Sequence, residues 1–285
     1  VRRRALWRLL AAAVLATVIG CGPQPGVKQT PEVAPSEREH PVGLFAQVES
    51  HRATVNWKTV GDGLIAGYNI YISPDPVVGR YPDTMLPYHI QPFNSTPYPG
   101  DTNPDDSVVT FVADNLSDGV KYYVSVRVVY SDGTLSMPSN EVAIVCGPRG
   151  ECLLPVRYSS KNDGYSFESA GYVSADSPAN DLYFYTVDGG DYLASPNRLD
   201  GFLKVNKFKV VSLPDGLRQD IGSSRVFEIP PSADKAQIRV GDWVWIRMPD
   251  RTNALVHVTS LTGEGNGRAV KLFYAYCPLA GSLIF

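Results

Sequence analysis

The stretch LSDGVKYYVSVRVVY, residues 116–130, decides the fold of the first half of this chain. It opens with Leu116 and a turn-forming Asp118-Gly119 pair, and from Tyr123 to Val129 apolar and polar residues alternate. Alternation of period two is the signature of a half-buried β-strand. Working outward, the same short alternating runs lie near residues 44–50, 53–58, 66–73, 108–115 and 139–145, each bounded by turn residues. Several short strands in this rhythm predict an antiparallel sandwich.

Four local patterns sharpen that expectation. Trp57 closes the run Ala53-Thr54-Val55-Asn56-Trp57, and Gly67-Tyr68-Asn69-Ile70-Tyr71 forms the next strand. Leu116, Gly119 and Tyr122 make an L-x-x-G-x-x-Y arrangement, and Ser136-Met137-Pro138-Ser139-Asn140-Glu141-Val142 leads into the last strand. In this order, over about 100 residues, they resemble the fibronectin type III family. The resemblance implies that Trp57 packs between two sheets and that the Tyr122 hydroxyl bonds back to the corner backbone, so both are expected to be core residues. It also implies binding or scaffolding rather than catalysis.

The segment Pro74–Asp106 departs from the family pattern, with eight prolines and the aromatics Tyr81, Tyr88, Phe93 and Tyr98. Long loops of this kind are functional or unstructured. Tyr81, Tyr88 and Tyr98 are candidates for contacting a flat ligand such as a sugar ring; the alternative is that they pack back onto the sandwich. Asp101, Asn103 and Asp105 imitate the start of a calcium loop, but Pro104 interrupts it and Asp106 stands where the turn needs glycine. No metal and no cofactor is expected.

Beyond residue 154 further alternating runs cover Leu182–Val187, Leu203–Leu213, Val226–Ile229, Asp242–Met248, Ala254–Leu261 and Ala269–Tyr276, with turns at residues 249–253 and 263–267. They predict a second antiparallel β-domain, a sheet or partial barrel. Period two places Trp243, Trp245 and Arg247 on one face and Val244, Ile246 and Met248 on the other. Trp243 and Trp245 are therefore either core or a binding platform. The last three runs loosely resemble C-terminal β-domains of bacterial surface lipoproteins of unassigned role, some similar to haem-capturing proteins. That resemblance carries no catalytic residue over.

The first twenty-one residues read as an address. Residues 1–8 are basic, residues 9–19 are an unbroken small and apolar run, and Gly20 precedes Cys21. This is the layout of an export signal, and its apolar run is shorter than the roughly 20 residues a spanning helix needs. Val18-Ile19-Gly20-Cys21 resembles a bacterial lipobox, which implies lipidation of Cys21 and cleavage before it, and Val1 reads as a GTG start. Residues 22–41 hold five prolines and few bulky apolar groups, the composition of a tether. The expected map is a signal peptide at 1–20, lipidated cysteine and tether at 21–41, type III domain at 42–146, linker at 147–154 and second β-domain at 155–285.

Charge and cysteine usage narrow the function. The chain has 26 basic and 29 acidic residues; removing Arg2, Arg3, Arg4 and Arg8 leaves 22 basic residues and a balance of −7. Without a basic patch nucleic acid is not an expected partner. Cys146 and Cys152 bracket a five-residue loop and are the preferred disulfide, with Cys152–Cys277 the alternative. His40, His51, His89 and His257 are far apart, and no H-E-x-x-H, G-x-S-x-G, G-x-G-x-x-G or P-loop occurs. The chain is not expected to be an enzyme. The acids Asp176, Asp181, Asp188 and Asp191 leave one catalytic reading, a glycan-acting enzyme with an accessory type III domain. The leading expectation is a lipid-anchored interaction protein at the bacterial envelope, outer membrane or cell surface, whose partner is a protein or a glycan. The alternative is a binder of haem or an oligosaccharide.

Overall fold

Alternating burial along the strands builds three separate cores. The computed structural model describes residues 38–61, 65–81, 86, 89–100, 107–195, 197–199, 202–203, 205–213 and 225–285. The leader, Cys21, Tyr88 and the Asp101–Asp106 segment lie outside the described residues. Among the described residues no helix is long and apolar enough to cross a membrane.

The first core lies between two three-stranded sheets. Strands β1 (Phe45–Glu49), β2 (Arg52–Lys58) and β4 (Val108–Asp114) form one in the order β1-β2-β4; β3 (Ile65–Ser73), β5 (Lys121–Tyr130) and β6 (Val142–Val145) form the other in the order β3-β5-β6. All their pairings are antiparallel. Val55, Trp57, Ile70, Val124, Val126 and Val128 meet between them. Trp57 is 1% exposed, with Tyr68 and Tyr98 edge-on at 5.2 and 6.4 Å. Its buried indole N–H finds no acceptor, a cost of roughly 1–3 kcal/mol that the burial of so large a ring offsets. At the corner before β5 the Ser117 N–H donates to the Tyr122 hydroxyl at 3.2 Å.

The proline-rich segment covers the free edge of β3. Tyr68 and Tyr98 exchange backbone hydrogen bonds at 2.7 and 2.8 Å, and the Phe93 N–H donates to Ile70 O at 2.7 Å. Between them the Asn94 side chain stands in for a backbone unit. Its Oδ1 accepts from the Ile70 N–H and its Nδ2 donates to Tyr68 O. Gly67 permits this approach, because a Cβ there would lie 2.8 Å from Tyr98 O. The expectation that Tyr98 contacts a ligand is thereby corrected: its ring packs on Trp57 and Phe111, and its hydroxyl donates to Thr110 O at 2.8 Å. A covered strand edge also protects the sandwich from pairing with other chains.

Residues 147–154, expected as a linker, instead contain most of β7 (Arg149–Pro155). The hydrogen bonds of this segment are satisfied by a distant strand, β18 (Ala269–Cys277), in antiparallel register from Ala269 opposite Pro155 to Ala275 opposite Arg149. The rest of the second half comprises β8 (Gly164–Ser166), β9 (Gly171–Val173), β10 (Leu182–Val187), β11 (Gly190–Ala194), β12 (Asn197–Leu199), β13 (Phe202–Leu203), β14 (Lys207–Val211), β15 (Lys235–Gln237), β16 (Trp243–Arg247) and β17 (Asn253–Thr262). Among the described residues two five-stranded sheets form, in the orders β14-β16-β17-β18-β7 and β15-β11-β10-β8-β9, with β12 and β13 a separate hairpin. Isolated bridges Val156–Phe184 and Phe208–Ala233 tie the two sheets together near both ends of the first, giving a partial barrel. Leu154, Phe167, Phe184, Leu193, Val244, Ile246 and Val256 fill it. The strand expected at Val226–Ile229 does not form; Arg225–Phe227 is a 3-10 turn that buries Phe227 and leaves Ile229 72% exposed.

The third core lies on the other face of the β14-β16-β17-β18-β7 sheet. Trp243, Trp245, Leu255 and Ala275 are covered there by Phe227, Phe285 and Val145. Val145 belongs to β6, so the sandwich contributes to this core and the two β-domains are packed together. At the junction a Cβ on Gly147 would lie 2.4 Å from Tyr276 O and 2.6 Å from Pro278 Cδ.

The expected Cys146–Cys152 disulfide is absent, as is Cys152–Cys277: all three thiols are free and buried. Cys146 points into the sandwich, Cys152 into the barrel and Cys277 into the third core. A bridge needs side chains aimed at each other, and these are aimed into different cores.

Two outcomes follow. Gly147→Ala is expected to lower stability by about 1–3 kcal/mol, read by urea denaturation, while Gly267→Ala, which meets nothing within 4 Å and has no positive φ, costs less. Burial pushes the Cys146 thiol up to about 11 and the Cys152 thiol up to about 12 from the usual 9.0. The unfolded chain then releases these protons first, so stability is full below pH 9 and falls as the pH climbs through the folded values. Iodoacetamide should label the three thiols only after denaturation, and a native protein 2 Da lighter than the reduced mass would refute the free-thiol assignment.

Candidate functional site

Pairing register places Trp243 on β16 directly opposite His257 on β17, and His257 opposite Phe273 on β18. The three rings make a cross-strand row on the outer face of the barrel sheet. Trp243 and His257 stack at 4.6 Å with 14° between planes, and Phe273 meets Trp243 edge-on at 6.4 Å. Beside this row a groove of about 680 Å³ has Val211, Ser212, Leu213, Asp242, Trp243 and His257 among its lining residues.

Local hydrogen bonds hold one wall. The Gly241 N–H donates to Val258 O and the Val258 N–H to Asp242 O. Asp242 Oδ2 accepts from the Arg239 N–H at 2.8 Å. This turn leaves Oδ1 without a hydrogen bond from a described residue. Trp243 is 9% exposed, yet its indole N–H donates to no described residue, and the His257 ring nitrogens are likewise without hydrogen bonds. The groove is open to solvent, and its lining mixes polar and apolar surface in similar measure.

The other sequence candidates are dispersed. Trp245 is core, correcting its nomination as a platform residue: it is 3% exposed, lies under Phe227 at 4.9 Å and donates its indole N–H to Asn253 Oδ1 at 2.9 Å. Tyr81 sits half-buried beside Arg80, whose guanidinium is 5.8 Å from its ring. A second cavity of about 610 Å³, in the sandwich, is lined by Tyr71, Leu86, Gln91, Arg127 and Met137, and Arg127 donates to Ser136 O.

The four nominated acids serve structure. Asp176 pairs with Arg157 at 2.5 Å, Asp191 with Arg268 at 2.6 Å, and Asp188 occupies a turn with φ of 50°. Asp181 is 4% exposed and accepts from the Phe167 N–H at 2.7 Å. It lines a cleft of about 260 Å³ with Glu168, Asp250, Thr252 and Tyr276. Burial, then the charges of Asp250, Asp181 and Glu168, push the Tyr276 phenol up to about 12. Among the described residues no cluster of three or more His, Cys, Asp or Glu is placed to hold a metal.

Two features escaped the sequence reading. The groove wall at Val210–Leu213 reads as ordinary strand, and only its position beside the Gly241–Asp242 turn makes a site. Tyr183, Tyr185 and Tyr192 form a ladder on the outer face of the second sheet, at 5.8 and 5.4 Å, with Arg157 and Lys235 over its end rings. The i, i+2 spacing of Tyr183 and Tyr185 was its available signal.

Comparison with known proteins bears on the sandwich. Residues 40–145 match the Fibronectin type III domain. Among solved structures, a Fn3-like protein from Clostridium thermocellum is 21% identical, covering 38% of this chain and 92% of its own, with a TM-score of 0.25. A structure described as a myokine is 20% identical, covering 39% of this chain and 99% of its own, also with a TM-score of 0.25. No curated protein matches.

If Asp181 is structural and Asp176 peripheral, Asp181→Ala should cost about 1–3 kcal/mol because the buried Phe167 N–H loses its acceptor. Asp176→Ala, which removes an ion pair exposed on the aspartate side and leaves Arg157 over the Tyr183 ring, should cost less, about 1 kcal/mol. Chemical denaturation of the two variants measures both.

Proposed function

We propose that this chain, with a fibronectin type III domain at residues 40–145, is a lipid-anchored extracytoplasmic binding protein of the bacterial envelope. Type III domains are general binding and scaffold modules. The observation that carries the address is the sequence of the leader: Arg2, Arg3, Arg4 and Arg8, then an apolar run, then Gly20 and Cys21. Acyl chains on Cys21 contribute about 0.8 kcal/mol per buried CH2, enough for stable anchoring when more than one chain is attached. The proline-rich residues beyond Cys21 then hold the β-domains away from the bilayer.

Gly22 rather than Asp after the lipidated cysteine supports the outer membrane or cell surface in a Gram-negative host. The partner is a protein, a glycan or another envelope component. Binding rather than turnover is supported by the separate structural engagements of the nominated acids: Asp176 with Arg157, Asp191 with Arg268 and Asp181 with the Phe167 N–H.

Expression in the native host with an alkyne fatty acid tests the anchor. Wild-type protein should incorporate the label and partition into detergent, with a mature amino terminus at Cys21, whereas Cys21→Ala should lose the label and stay unprocessed. An unlabelled wild-type protein retaining its arginine-rich leader would overturn the proposal.

A further inference from the structure

We infer that the groove beside Trp243 is a binding site for a neutral saccharide unit, an inference that deepens the reading of this chain as a binding protein and rests on it. The starting point is an imbalance in hydrogen bonding. Trp245, one step along the same face, gives its indole N–H to Asn253. Trp243, nine-tenths buried, has no acceptor among the described residues, and neither ring nitrogen of His257 is used. The Trp243 N–H, unlike that of Trp57, is not among the buried unpartnered groups, so it is reachable from the surface. Here the donor borders an open groove, where a ligand oxygen can accept from it.

Ring geometry selects the ligand class. Trp243 and His257 turn faces toward each other, and Phe273 meets Trp243 edge-on. This pair therefore offers the groove polar edges rather than a free stacking slot, which suits a hydroxylated ligand better than a flat aromatic one. Asp242 adds a carboxylate oxygen and Ser212 a hydroxyl, while Val211 and Leu213 supply apolar wall. Vicinal hydroxyls on a C–H-rich ring match that alternation of acceptor, donor and apolar surface. About 680 Å³ accommodates more than one hexose unit. The Asp242 carboxylate, with the excess of acidic residues in the chain, selects neutral sugars over acidic ones.

Tryptophan fluorescence of the full-length protein in detergent, titrated with cellotriose, maltotriose, laminaritriose, chitotriose, trigalacturonate and haemin, tests the inference. At least one neutral trisaccharide should shift the emission saturably, and trigalacturonate should not. Trp243→Phe, which keeps a ring and removes the N–H, should weaken that binding about tenfold. Asp242→Asn should also weaken it, while Tyr192→Phe on the remote sheet leaves it unchanged. His257→Gln provides a second reading should Trp243→Phe fail to fold. Trisaccharide binding unaffected by the groove variants would overturn the site. Haemin binding lost in His257→Gln, with every sugar silent, would overturn the sugar assignment while leaving a small-ligand site. Silence toward every probe overturns the groove inference, and the fatty-acid labelling result then stands separately for the anchoring proposal.

Discussion

The β14-β16-β17-β18-β7 sheet packs apolar side chains on both of its faces, and the rest of the structure is arranged around that constraint. A single alternation along β16 feeds two cores: Val244 and Ile246 enter the barrel, while Trp243 and Trp245 enter the cluster beneath Phe227, Phe285 and Val145. A sheet with only one dry face would leave two tryptophans in water. Burial of the second face therefore requires cover, which comes from the 3-10 turn, the C-terminal segment and the last strand of the sandwich.

That arrangement explains why the junction between the domains is a strand rather than a tether. The chain leaves the sandwich core at Cys146, passes Gly147 in close contact with Tyr276 and Pro278, and enters β7 beside β18 within three residues. So short a connection leaves little backbone freedom, and Val145 packing against the outer barrel face adds apolar contact. The type III domain is thus packed on its neighbour. Its own free edge at β3 is closed by Asn94 and Tyr98.

The candidate groove arises where, among the described residues, cover of the second face is incomplete. Trp245, Leu255 and Ala275 are sealed, but Trp243 and His257 lie where β14 ends and the Gly241–Asp242 turn begins. There the apolar cluster meets an open groove, so a ligand would reach the margin of the cluster from solvent.

Sequence by itself determined the all-β class, the places of most strands and the split of Trp243 and Trp245 from Val244 and Ile246, since these follow from local periodicity. It also carried the type III motifs at Trp57 and Tyr122. What only the tertiary structure decided was which face of each strand met which partner. Residues 149–154 read as linker because their hydrogen bonds are made to residues 270–275, beyond the reach of any local pattern. Cys146 and Cys152 are close in sequence, yet alternate strand geometry and the domain junction send their thiols into different cores. Tyr98 and Trp245 read as available aromatics until long-range packing buried them, whereas Trp243 kept an unspent edge because the cover stops beside it. Local order follows from neighbours along the chain; exposure depends on neighbours across it.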